Sequence, residues 1–158
     1  MAVRVQIEAF DLTREVAALK AGRTDLGAIV TFTGTVRDCS GGNRLIAMTL
    51  EHYPGMTEAE LARVEAEARV RWPLQGCTII HRFGRLVPGD GIVLVVTAAA
   101  HREAAFKAAE FLMDYLKTSA PFWKQEELAD GSVAWVEAKA GDEAALERWR
   151  GKAGGGAG

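Results

Sequence analysis

Metal-ligand spacing is the first thing missing from this chain of 158 residues. Its three histidines, His52, His81 and His101, are scattered, and its two cysteines, Cys39 and Cys77, form no C-x-x-C pair. Neither a metal, a cofactor nor a structural disulfide is therefore expected. Membrane-length hydrophobic runs are missing too. The longest apolar stretch, Ile92 to Ala100, is too short to cross a bilayer, and Met1 to Glu8 lacks a signal-peptide core. The expectation is a cytoplasmic protein with no membrane association. Charge of one sign is not in excess either, since the net charge is -2. That excludes a general attraction to nucleic acid and requires any anion site to be local. What remains, 49% apolar and 25% charged residues, suits one domain over residues 1–150, with residues 151–158 as a flexible Gly-rich tail.

Read in order, Val3 to Ala9 alternates as a strand, and Asp11 caps a helix running to about Lys20. Leu26 to Arg37 reads as a long strand whose Thr-lined face ends at Arg37. The loop that follows, through Gly41 and Gly42 to Arg44, suits either a hairpin connection or close backbone approach to a ligand. Leu45 to Tyr53 is the next strand. Thr57 and Glu60 form a capping box for a helix over about Glu58 to Arg71, with Leu61, Val64, Ala68 and Trp72 as its apolar stripe. Cys77, in the strand Cys77 to Phe83, is a small core residue, whereas Cys39 is placed in an accessible loop. Ile92 to Ala98 is apolar on both faces and hence a central strand. A helix over His101 to Lys117, a strand Phe122 to Leu128, an Asp130-Gly131 hairpin into Ser132 to Ala138, and a last helix over Asp142 to Arg150 complete an α+β domain with a mixed, mainly antiparallel sheet.

The stretch Leu116 to Glu126 places two lysines around a helix-to-strand turn. Lys117 sits in the last helical turn, where the dipole favours a cation, on the polar stripe of Glu103, Lys107, Glu110 and Asp114. That pattern also describes a solvated surface lysine. Lys124 alternates with Phe122, Glu126 and Leu128 on one face of the strand, where an amine can be partly desolvated. Arg102, in the first turn of its helix, opposes the macrodipole; it is either a bare surface charge or part of an anion site with the helix amides.

Gly27 through Arg37, Leu50-Glu51-His52-Tyr53, His81-Arg82-Phe83-Gly84, His101 through Phe106, and Leu116 through Glu126 with Trp135-Val136 together resemble the large, catalytic subunit of molybdopterin synthase, in order and spacing from about residue 3 to residue 138. The resemblance implies an α/β hammerhead-type fold with an added β-rich subdomain. It implies a homodimer carrying a small ubiquitin-like sulfur-carrier subunit at each end, a heterotetramer in all. It also implies a reaction: sulfur passes from the thiocarboxylated C-terminal glycine of the small subunit to cyclic pyranopterin monophosphate, forming the dithiolene of molybdopterin. On the matching positions, Lys117 and Lys124 would be catalytic. Arg37, His101 and Arg102 would bind the substrate phosphate and orient the pterin, with Phe32, Met113 and Glu126 also lining the site. Cys39 and the chain beyond about Gly141 have no counterpart in the motifs.

Two rival readings set the tests. A non-catalytic module could bind a ubiquitin-like partner or a phosphate ligand, but that leaves both lysines and the His101-Arg102 pair without a task. A Schiff-base lyase would use Lys124 and would be trapped by borohydride. The tail Gly154 to Gly158 also resembles the Gly-Gly end of a sulfur carrier, and it could enter the partner's channel in competition with it.

Overall fold

The apolar run from Ile92 onward forms strand β7 (Gly91–Ala99), and its neighbours show why it is apolar throughout. In this computed structural model, which describes residues 2–136 and 140–150, β7 lies between β5 (Leu74–Arg82) and β2 (Ala28–Thr35), antiparallel to both. Strand β1 (Ala2–Gln6) adds to β5 in parallel and completes a four-stranded sheet. Both faces are covered. Val93 and Val95 pack with Leu61 and Val64 of α2 (Met56–Arg71) and with Ala105, Phe111 and Leu112 of α3 (Arg102–Thr118). Leu94 and Val96 face the other way, onto Phe10 and onto Val16 and Leu19 of α1 (Leu12–Lys20). Burying each of these side chains contributes about 1.5 to 3 kcal/mol. The alanines of α3 let it lie close, and the buried Thr97 hydroxyl donates to the Ala105 carbonyl at 2.7 Å.

The second sheet is built around β4 (Asn43–His52). It pairs with the short β3 (Cys39–Ser40), with β6 (Gly84–Leu86) and with β8 (Phe122–Leu128), and β9 (Val133–Val136) extends beyond β8. Val36, Leu45, Met48, Leu50 and Leu86 form its own core. After β9 the chain returns as α4 (Ala140–Glu147). Trp149, just past it, packs edge-on against Trp72 and Phe111, with ring centroids 5.5 and 5.6 Å apart.

The α+β expectation holds, because every strand pair except β1 with β5 is antiparallel. Asp11 caps α1 as expected, its carboxylate accepting from the Arg14 N–H at 3.1 Å. Cys77 is buried and Cys39 exposed. Several details differ. Helix α2 begins at Met56, and it is Glu58, not Glu60, whose carboxylate reaches back to an N-terminal amide, that of Gly55, at 2.7 Å. Glu60 instead pairs with Arg63. Strand β2 stops at Thr35 after a bulge at Gly34, so Arg37 lies beyond the strand rather than at its end. The Gly41-Gly42 segment is a tight hairpin between β3 and β4, with φ of 57° and 82°, values that suit glycine. β6 was not anticipated. The Gly-rich tail and its proposed competition with a partner lie outside the described residues.

Candidate active site around the Lys117 to Lys124 turn

Helix α3 ends in a set of local hydrogen bonds. The Thr118 hydroxyl donates to the Asp114 carbonyl at 2.7 Å, and the amides of Ser119 and Ala120 both donate to the Tyr115 carbonyl, at 2.8 and 3.2 Å. Pro121 then prevents helical continuation. The Phe122 amide donates to the Ala120 carbonyl at 2.8 Å, and β8 begins. Lys117 is exposed on the last turn of α3, and Lys124 is half-buried in β8 opposite Leu50 of β4 and Val136 of β9. Glu126 points the same way two residues on. It is buried and accepts a hydrogen bond from the Ser40 hydroxyl at 3.1 Å, so the β3 hairpin holds it.

Between the lysines, the Phe122 ring stacks on His81 of β5, with centroids 3.7 Å apart and planes 19° from parallel. His81 is 7% exposed. Burial is the main reason its pKa falls to about 4, the charges of Lys117 and His52 adding to the effect and the hydrogen bond to the Arg82 carbonyl opposing it. The ring is therefore neutral near pH 7, with Nδ1 carrying the proton to the Arg82 carbonyl at 2.8 Å. Lys117 precedes the turn on α3 and Lys124 follows it on β8.

The remaining predicted residues fall in two places. The amide of Val36 donates to the Asp90 carbonyl at 2.9 Å, which sets Arg37 beside the start of β7, and α3 returns Lys117 to that same end of the sheet. His101 and Arg102 follow Ala99 at the opposite end. His101 is the N-cap of α3, without a side-chain hydrogen bond to the helix. At about 1.5 Å per residue the helix separates Arg102 from Lys117 by roughly 22 Å. One chain thus gathers Arg37, Lys117, Lys124 and Glu126 toward one end and leaves His101 and Arg102 at the other. Phe32 is 39% exposed on β2, an edge strand, and Met113 is buried in the core of α3.

Sequence reasoning missed two features. One is the pinning of the turn by His81 and by the fully buried Thr57, whose hydroxyl donates to the Pro121 carbonyl at 3.0 Å. The other is an open aromatic cleft of about 570 Å³ lined by Glu51, His52, Tyr53, Trp123 and Trp135. Alternation along β8 already placed Trp123 opposite Lys124, but only the pairing of Gln125 with Trp135 brings the second indole beside it. Among the described residues no group of three or more His, Cys, Asp or Glu side chains could hold a metal ion.

A family model described as MoaE protein matches residues 5–119. The chain belongs to the MoaE family. A molybdopterin synthase catalytic subunit of Mesorhizobium japonicum is 59% identical over 149 residues, which cover 94% of this chain and 92% of that relative. The solved MoaE structure from Burkholderia ambifaria superposes with a TM-score of 0.79 at 53% identity, covering 95% of this chain and 99% of that one. A protein-protein complex of subunits 1 and 2 of molybdopterin-converting factor from Helicobacter pylori matches with a TM-score of 0.65 at 22% identity, covering 88% and 92%, a likeness of fold alone. Membership of the MoaE family makes the chain the catalytic subunit of a molybdopterin synthase, a sulfurtransferase of molybdenum cofactor biosynthesis, with the α/β hammerhead-type fold and β-rich addition that the motifs implied.

Proposed function

We propose that this MoaE subunit works in the cytoplasm and accepts the thiocarboxylated C-terminal glycine of a small ubiquitin-like sulfur-carrier subunit at the Lys117 to Lys124 turn. Sulfur is transferred there to cyclic pyranopterin monophosphate to form the dithiolene. The observation that carries the reading is the lysine pair itself, presented around one fixed turn with Lys124 half-buried. Two ammonium groups suit an anionic thiocarboxylate and the oxyanion that develops when its acyl carbon is attacked, and partial burial strengthens both interactions.

The phosphate reading gives a reason for the homodimer. Arg37 lies at the lysine end of the sheet, and His101 with Arg102 at the far end. A second copy can bring its His101-Arg102 end to the first copy's lysines, which makes the site complete only in the dimer. With one small subunit on each copy the assembly is a heterotetramer. The direct test supplies thiocarboxylated small subunit and cyclic pyranopterin monophosphate and measures dithiolene product. Product from the wild type supports the reading, and its absence with a competent small subunit overturns it. Mixing Lys124→Ala and Arg102→Ala proteins at a substrate concentration too low for Arg102→Ala to bind well tests the shared site, because mixed dimers retain one intact site and regain activity. Failure of properly exchanged dimers to recover activity would place all these residues in one chain's site.

A further inference from the structure

Pro121 and Phe122 stand midway between Lys117 and Lys124, and each is held by a residue remote in sequence. The Thr57 hydroxyl is fully buried and satisfied on both sides, accepting from the Tyr53 amide at 2.9 Å and donating to the Pro121 carbonyl at 3.0 Å. It thereby ties the start of α2 to the turn. From β5, His81 holds Phe122 by stacking on it at 3.7 Å, and the imidazole is itself oriented by the Arg82 carbonyl at 2.8 Å. Neither residue is among those assigned to substrate. We propose that Thr57 and His81 are positioning residues that together clamp Pro121 and Phe122, and so set where the Lys117 and Lys124 amines stand relative to each other. Resting on the sulfur-transfer reading for its consequence in catalysis, the clamp makes a general chemical point: a donor pair stabilises a developing charge only when its spacing is fixed beforehand.

The arrangement explains a choice of residue types. A buried Thr with one donor and one acceptor partner is fully satisfied in this place, whereas Val would fill the same volume and leave the Pro121 carbonyl without its donor. A flat ring at position 81 supports Phe122 whether or not it has nitrogen atoms. The two contacts can therefore be removed separately.

The test compares Thr57→Val, Thr57→Ser, His81→Ala and His81→Phe with the wild type, normalised to folded protein at a temperature where all are native. Each is assayed with thiocarboxylated small subunit and cyclic pyranopterin monophosphate. Isotopically labelled lysine is used in parallel to follow the ε-carbon resonances of Lys117 and Lys124 against pH. The expected result is a fall in kcat on the order of 10- to 100-fold for Thr57→Val and His81→Ala, with KM held within a factor of about two, since an ångström of misplacement has that scale of effect on rate. Their lysine titrations shift, whereas Thr57→Ser and His81→Phe keep both properties near wild type. Unchanged kcat and unchanged lysine titrations in Thr57→Val and His81→Ala would overturn the clamp. So would equal loss in Thr57→Ser and Thr57→Val, because the hydroxyl would then be irrelevant. If wild type makes no dithiolene, the sulfur-transfer reading fails by itself, and the lysine titrations alone decide whether Thr57 and His81 hold the turn.

Discussion

The two sheets of this protein treat their strands in opposite ways. In the four-stranded sheet, β7 is buried from Val93 to Ala99 and covered by helices on both faces. In the five-stranded sheet, β8 and β9 leave Trp123, Val133 and Trp135 exposed, and β8 carries Lys124 half-buried between two partner strands. The first sheet supplies the stability that lets the second keep an exposed aromatic face and a charged strand. The second sheet has a small satellite core of Val36, Leu45, Met48, Leu50 and Leu86, with Phe83, Ile92 and Leu128 partly buried against it. The proposed site lies where packing is least demanding.

Changes that act on one sheet and spare the other sharpen this division. The largest effect is expected from Leu94→Ala in the first sheet, a fully buried side chain whose truncation should lower stability by about 3 to 5 kcal/mol. Chemical denaturation measures it, and residual turnover per folded molecule should stay near wild type. His81, which belongs to the first sheet but touches the second, is next. Its folded pKa of about 4 lies below the ordinary value of about 6.5. The unfolded chain therefore binds more protons between those values. Stability from this group is fully present above about pH 6.5 and is lost as pH falls through 4, by about 3 kcal/mol in all. As pH falls through that window the denaturation midpoint of wild type should drop relative to that of His81→Phe, and parallel curves would contradict the assignment.

Lys124→Ala acts on the second sheet alone. Product formation should drop by on the order of 100-fold or more while the melting temperature and small-subunit binding hold, because a contact to developing charge is lost and little packing goes with it. Wild-type turnover in that variant would break the comparison outright. Smallest are Arg37→Ala and Arg102→Ala, each expected to weaken substrate binding on the order of 10-fold by removing a charge-assisted hydrogen bond. Calorimetry at two salt concentrations should show a shallower salt dependence in both variants, even though the residues lie at opposite ends of the sheet.

Much of the first sheet is readable in the sequence because its signals are periodic and local. The apolar run at Ile92, the cap at Asp11 and the alanine-rich stretch after His101 each report their own environment. β8 was equally legible from Phe122 to Leu128, since alternation and the bounding turns coincide. What escaped was fixed by partners far away. The helix starts before Thr57, at Met56, and the Thr57 hydroxyl accepts from the Tyr53 amide while donating to the Pro121 carbonyl, a partner no local window contains. β6 is too short to show a period, and it exists because β4 offers it an edge. The separation of Arg102 from Lys117 belongs to a different class: the length of their shared helix already implies it, once the residues are taken as points on a rod rather than as members of a motif.

The pairing of β4 with β8 also bears on the order in which the molecule assembles. His52 and Phe122 are register partners, yet α2, β5, β6, β7 and α3 all lie between them in the chain. Closing so long a loop in an otherwise unfolded chain costs roughly 4 kcal/mol in entropy before any contact is gained. Most of that vanishes if the first sheet and its helices have already formed, because α3 then delivers Phe122 to the neighbourhood of His81 and β4. The strand that carries Lys124 is accordingly a late arrival in folding, and an interrupted or incompletely folded molecule would possess most of its core while lacking the surface of the proposed site.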